Sequence, residues 1–307
     1  MLSAFVESHR AGSPTDENVY WISLKPWQLA ALFYEQHQIR VSHGLVKRLL
    51  RQLGYGYRKQ TKQLPTGAYA RRVEQFHIIC SLVLIMRVEG PVISIDCKKK
   101  ERLGNLYREG RCYCSGALKV YDHDYEHLGE GKIIPHGIYD LRANKGYLSI
   151  GNSSETAAFV LDNLLWWWQQ YGIHLYPDAQ NLLLLCDAGG ANSYRHLIFK
   201  AKLMEFAQQT GLKVMVCHYP PYCSKWNPIE HRLFSQLHKA MEGVVFTDYP
   251  TVQTLIGQTS TKTGLSVVVR LNLKEYLKGE KINKTAVDEK RILYHSTLPE
   301  LNYSIFP

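Results

Sequence analysis

The chain has 307 residues, 45% of them hydrophobic, and its 37 Lys and Arg against 27 Asp and Glu give a formal charge of +10 with a pI near 9.1. That is enough chain for one large domain and a smaller one around a packed apolar core, and the charge suits either a polyanionic partner or a solvated basic surface. Apolar runs such as residues 78–86 and 182–186 are too short to span a bilayer, no N-terminal segment resembles a signal peptide, and seven cysteines without a C-x-x-C pair argue against a disulfide framework.

Residues 1–22 are polar, with turn formers at Gly12, Ser13 and Pro14, and are expected to form an arm or linker. Residues 23–62 are expected to form a small all-α unit. Leu29, Ala30, Leu32 and Phe33 place one helix over Pro26–His37, and Ser42 is positioned to cap a second, which carries Leu45, Val46, Leu49 and Leu50 and is closed by Gly54. The outer face of that second helix presents His43, Lys47, Arg48 and Arg51. Two helices joined by a short turn, the second basic on its outside, suit a helix-turn-helix whose second helix enters a major groove, or else an ordinary helical hairpin. Arg58, Lys59, Lys62, Arg71 and Arg72 carry the positive charge onward, and residues 63–90 are expected to contain a connecting helix.

From residue 91 to 307 the pattern becomes that of an α/β domain. Residues 92–96 (VISID) form an apolar β-rich run that ends in an acid and is followed at once by Lys98, Lys99 and Lys100. Residues 101–132 are polar and rich in Gly and Tyr, an excursion with short strands of its own. Cys112 and Cys114 lie there near His123 and His127, but the one-residue gap is not a usual zinc spacing. Two strands follow over 133–140 and 147–150, joined by a turn at Asn144. Ser153 or Ser154 is expected to cap a helix reaching residue 171, apolar nearly all round, so its Trp166, Trp167 and Trp168 belong to a core or interface. Residues 182–186 read as a buried strand closed by Asp187, then a Gly-rich turn and a helix stopped by Gly211. A further strand over 214–217 leads through a Pro- and aromatic-rich loop into a helix at Pro228 bearing Glu230. Three strands, then helix, strand, helix, strand and helix, is the order of a ribonuclease H-like mixed sheet flanked by helices, and residues 265–273 add one more strand.

The acids fall at element ends: Asp96 closes one strand, Asp187 closes another, and Glu230 lies in the first turn of a helix. If the two strands are parallel neighbours, the carboxylates cluster. Clustered carboxylates repel unless a hard cation neutralises them, and Mg²⁺ prefers oxygen ligands. Two such ions about 4 Å apart can activate a water or 3′-hydroxyl and stabilise the leaving oxygen of an in-line displacement at phosphorus. The expected reaction is DNA phosphodiester hydrolysis followed by strand transfer. Each acid also has a plainer reading. Asp96 can pair with Lys98 or Arg102, Asp187 can form the turn before Gly189, and Glu230 can fold back onto an Asn227 helix cap. His218 and His231 are candidates for proton transfer or for structural roles. Lys98, Lys225 and Lys262 are expected phosphate contacts.

The segments VISIDCKKKE, LGEGKIIPHGIYD, LLLCDAGGANSYR, VCHYPPYCSKWNPIEHRLFS and TSTKTGL resemble the ISAzo-type insertion-sequence transposases, also described as the Rhodopirellula transposase DDE domain, over roughly residues 29–303. The resemblance implies a ribonuclease H-like DDE catalytic core with two Mg²⁺, or Mn²⁺ in their place, held by Asp96, Asp187 and Glu230. It also implies a DNA-binding helix-turn-helix, transposon ends and target DNA as partners, a homo-oligomer on DNA, and a cytoplasmic, nucleoid-associated location in a bacterium. The family has a small hydroxyl residue where Cys97 stands and extends further upstream. An N-terminally truncated copy is therefore expected, with a catalytically silent DNA-binding remnant as the alternative to an active transposase.

Overall fold

The computed structural model describes residues 1–13, 16–59, 71–280 and 282–307, which divide into two compact units, Met1–Leu64 and Pro65–Pro307. The expected boundary at residues 62 and 63, and Lys62 itself, lie outside the described residues.

In the first unit, helices α1 (Leu2–Ser8), α2 (Pro26–His37) and α3 (His43–Gln52) accompany a hairpin of β1 (Ala11–Ser13) and β2 (Asp16–Trp21). The expected arm over residues 1–22 is corrected here. Phe5 and Val6 turn inward from α1 and pack with Leu29, Phe33 and Val46, so a segment that looks polar overall still supplies part of the core. Ser42 caps α3 as its residue type demands, accepting from the Leu45 N–H at 3.1 Å. Gln38 ends α2 in the left-handed conformation.

The second unit opens with α4 (Arg72–Glu89), which is built into the domain rather than merely leading to it. Its Gln75 is wholly buried and donates to the His218 carbonyl and to Asn302, both at 2.8 Å. The strands follow as β3 (Val92–Cys97), a short β4 (Glu101–Leu103), β5 (Gly131–Asp140) and β6 (Lys145–Gly151). Next come α5 (Ala157–Trp167) with a π-helical turn (Trp168–Gly172) and the short α6 (Ile173–Leu175), then β7 (Asn181–Cys186), α7 (Leu197–Thr210) and β8 (Lys213–His218). After a π-helical turn (Glu230–Phe234) come α8 (Ser235–Met241), α9 (Tyr249–Gly257), β9 (Ser266–Asn272), β10 (Ile292–Tyr294) and β11 (Asn302–Ile305).

The sheet runs β10-β11-β8-β7-β3-β5-β6-β9, with β4 paired to β5. β3, β5 and β6 form an antiparallel meander, whereas β7 and β8 run parallel to β3. This mixed sheet with helices on both faces is the ribonuclease H-like arrangement. The central strands are mostly apolar because both their faces are covered. Ile93, Ile95, Leu182, Leu184, Val214 and Val216 pack on α5 and α7, while Leu183, Leu185 and Cys217 pack beneath α4. Trp167 and Trp168 are buried in the first of these layers. The C-terminal tail completes one sheet edge as β11 against β8.

Candidate active site

The parallel pairing of β3 with β7 sets Ile95 beside Cys186. One residue further along each strand, Asp96 and Asp187 leave the same end of the sheet as neighbours. Alternation along β3 turns Ile93 and Ile95 toward α5 and α7, and leaves Ser94 and Asp96 on the opposite face.

That opposite face receives the segment carrying Glu230. Asn227 was expected as a helix cap, and the structure corrects this. Its wholly buried side chain reaches β3, accepting from the Ser94 hydroxyl and donating to the Ile95 carbonyl at 3.3 Å. The Ser94 oxygen in turn accepts from the Ile229 N–H at 3.2 Å. The Asn227 N–H that a folded-back Glu230 would have satisfied is taken by the Ser224 carbonyl at 2.8 Å. Glu230 is thereby left free of capping duty. Its carboxyl lies within hydrogen-bonding reach of Asp96, at the first residue of a π-helical turn, an irregularity frequent at functional sites. Gly137, the residue opposite Asp96 on β5, makes this approach possible: a Cβ there would lie 2.7 Å from Phe234 and 2.9 Å from Ile229. Gly146 similarly yields its space to Leu233, 2.4 Å from where a Cβ would sit.

The electrostatics are those of acids crowded out of water. Burial, then the Asp187 and Glu230 carboxylates, push Asp96 up to about 8, although the Cys97 N–H donates to it at 2.7 Å. Burial pushes Asp187 up to about 6, reinforced by Glu155 and Glu230 and opposed by the Gly189 N–H. Asp187 Oδ1 is buried without a hydrogen-bond partner among the described residues. Among the described residues no group of three or more His, Cys, Asp or Glu side chains is arranged as a metal-holding set. Mg²⁺ does not need such a cage, because it commonly takes one or two carboxylates and completes its shell with water and substrate phosphate. An all-oxygen donor set with an unsatisfied buried carboxylate oxygen fits a hard cation of this kind.

Glu155 was not picked out from the sequence. α5 is capped by Thr156, whose hydroxyl accepts from the Phe159 N–H at 3.2 Å, so the helix begins after Ser153 and Ser154 rather than at them. The loop they occupy delivers Glu155 beside Asp187 and the Cys97 thiol, where it pairs with Lys100 at 3.1 Å. The signal was an acid directly preceding a Thr cap. A cleft of about 500 Å³ opens there, bordered by Lys100, Glu155, Gly190 and His196.

Other expected participants divide. His218 is wholly buried; Nδ1 meets the Asp187 carbonyl at 3.0 Å, Nε2 meets the Tyr303 hydroxyl at 3.2 Å, and burial lowers it to about 4. It is a neutral strut behind Asp187 rather than a proton carrier, whereas His231 is exposed. Lys98, an expected phosphate contact, is turned inward, its side chain only 9% exposed and its ammonium 3.3 Å from Glu101. Lys225 lies 5.5 Å from the Trp226 ring, and Lys262 is exposed in the turn after α9. In the first unit His43, Lys47, Arg48 and Arg51 are all exposed on α3. Among the described residues no helix is long and apolar enough to cross a membrane.

The chain is similar in structure to the Mos1 transposase paired-end complex with the left transposon end, at 16% identity over 82% of this chain and 68% of that one, with a TM-score of 0.48. It is also similar to the Mos1 mariner paired-end complex with Mn, at 16% identity over 76% of this chain and 65% of that one (TM-score 0.48). For the Mos1 strand transfer complex the values are 16%, 82% and 67%, with a TM-score of 0.46. No curated protein sequence matches the chain significantly. The family described as the Rhodopirellula transposase DDE domain matches residues 1–307, and the chain belongs to that transposase family.

Proposed function

We propose that this transposase cuts and joins DNA phosphodiesters at Asp96, Asp187 and Glu230, with Mg²⁺ or Mn²⁺ as the resident ions. The observation that carries the proposal is the convergence of these three acids from β3, β7 and the Pro228 helix, with Asp187 Oδ1 left unsatisfied. Asp96 and Asp187 would hold ions between them, and Glu230, fixed by the Asn227 and Ser94 contacts, would close the set from the other side. Two bound ions supply an activated oxygen nucleophile and charge neutralisation at the leaving oxygen. The chain's own part is to keep its carboxylates within reach of one another and to aim them past the sheet edge where DNA arrives. The basic face of α3 would read or grip the duplex as the second helix of a helix-turn-helix, with residues 23–62 as the DNA-binding unit and residues 91–307 as the catalytic one. Transposon ends and target DNA are the partners, bound by more than one copy of the chain.

Purified protein incubated with a plasmid carrying its element's ends should nick or join DNA when Mg²⁺ or Mn²⁺ is added, and not in EDTA. Asp187→Ala should abolish this while still binding DNA. Equal cleavage by the variant would overturn the assignment. Binding without metal-dependent cleavage by the wild-type chain on such ends would identify a silent remnant instead.

A further inference from the structure

A pocket of about 310 Å³ lies beside β4, lined by five cations (Lys99, Lys100, Arg102, Arg108, Lys132) against two acids, Glu101 and Asp122. Arg108 is its centre. The Arg108 side chain is 11% exposed, its guanidinium lies 3.5 Å from the centre of the Phe246 ring, and one nitrogen donates to the Arg102 carbonyl. Nε and Nη1 are buried and have no hydrogen-bond partner among the described residues. A nearby carboxylate, Glu101, lies 3.8 Å from Nε and already 3.3 Å from the Lys98 ammonium. One carboxylate thus faces two cations, and buried charged donors without acceptors are costly.

A second observation points the same way. Arg102 on β4 and Lys132 on β5 sit directly opposite each other in antiparallel register, and like charges so placed destabilise a sheet unless an anion lies between them. A planar guanidinium stacked on an aromatic ring, with two N–H groups free, suits the oxygens of a phosphate.

The pocket is also well placed. Lys99 follows Asp96 by three residues, so the two are at most about 10 Å apart along extended chain, roughly three nucleotides' rise on one DNA strand. Lys100 lines both this pocket and the cleft bordered by Glu155 beside Asp187. We propose that the Arg108 pocket seats one backbone phosphodiester of the DNA strand within about three nucleotides of the phosphate presented to the acids. This rests on the reading of DNA as the substrate.

The test uses the full chain in EDTA with a fluorescent duplex, measuring affinity against salt concentration. Each neutralised phosphate contributes a slope of about −0.9 in log affinity against log salt, so losing one contact costs about eightfold in affinity at 0.1 M salt. Arg108→Gln and Lys132→Gln should each show that loss and a slope shallower by about one. Arg108 touches the core, so if Arg108→Gln does not fold, the exposed Lys132 carries the measurement. Unchanged slopes in folded variants, with metal-dependent cleavage intact in the wild type, would overturn the pocket while leaving the catalytic reading standing. Shallower slopes without any wild-type cleavage would do the reverse. A shift of the Arg108 Nε–H resonance with millimolar inorganic phosphate, but no change in the DNA slopes, would assign the site to free phosphate and overturn the DNA proposal.

Discussion

Replacing Asn227 by Ala removes the latch between β3 and the Glu230 segment. The variant loses the acceptor for the Ser94 hydroxyl and the donor to the Ile95 carbonyl, while Ser94 still accepts from Ile229. One buried side-chain hydrogen bond, a hydroxyl left without an acceptor, and a small void together cost about 2–3 kcal/mol. A domain with 5–15 kcal/mol of stability remains folded after that loss. Glu230 lies three residues beyond the latch, and its own N–H is held by the Asn227 carbonyl at 3.0 Å. A displacement of about 1 Å at a catalytic group costs about 100-fold in rate. Urea unfolding should therefore show a modest loss, and Mg²⁺-dependent plasmid nicking a loss of about two orders of magnitude. Ser94→Ala and the double variant complete a cycle whose coupling should exceed about 0.5 kcal/mol. Asn227→Ala nicking within twofold of wild type, or a coupling of zero, would refute the latch.

Gly137→Ala should also push the Glu230 helix outward, because its Cβ would meet Phe234 and Ile229 at under 3 Å; cleavage should fall at least tenfold with DNA affinity unchanged, measured by nicking and anisotropy. Folded Asp96 keeps its proton up to about 8 and Asp187 to about 6, against about 3.9 when unfolded. These two carboxyls bind more protons in the folded state between pH 4 and 8, while buried His136 and His218, held down to about 3 and about 4, bind fewer below about pH 6.5, so the metal-free protein loses stability as pH rises from about 6.5 to about 8. Asp96→Asn should remove most of the slope above about pH 6.5 and stabilise the metal-free chain at pH 8 by on the order of 1–3 kcal/mol, read from Tm against pH in EDTA; a wild-type Tm that climbs from about pH 6.5 to 8 would contradict this. On α3, Arg48→Ala and Arg51→Ala should each weaken duplex binding and make its salt slope shallower by about one, with no change in the unfolding midpoint.

Much of the catalytic domain was legible because its signals are local. The runs VISID and LLLLCD are largely apolar strands stopped by an acid, and strands buried on both faces have few polar positions to blur the pattern. What was not legible depends on contacts far apart in sequence. Asn227 and Pro228 spell a helix start, and only the buried hydroxyl of Ser94 on a distant strand turns the amide from cap to latch. Phe5 and Val6 join a core whose other members begin at Leu29, so a polar average over residues 1–22 concealed them. Thr156 rather than Ser153 or Ser154 caps α5, a difference of two or three residues that places Glu155 in the site rather than on a helix. Lys98 and Lys99 are indistinguishable as letters; strand geometry buries the first against Glu101 and leaves the second exposed. Arg108 lies in an irregular excursion without periodicity, and Phe246, which it stacks on, is contributed from beyond α8.

The central claim is that Asp96, Asp187 and Glu230 hold divalent ions at the DNA. Diffraction from crystals of the protein with a transposon-end duplex, soaked in Mn²⁺, tests it most directly through anomalous scattering. The account predicts manganese about 2.0–2.6 Å from carboxylate oxygens of both Asp96 and Asp187, as hard cations sit on oxygen ligands, with the Glu230 carboxylate and a DNA phosphate oxygen completing the set. Manganese bound elsewhere on the chain, or a cleaved duplex with no ion between Asp96 and Asp187, would contradict it.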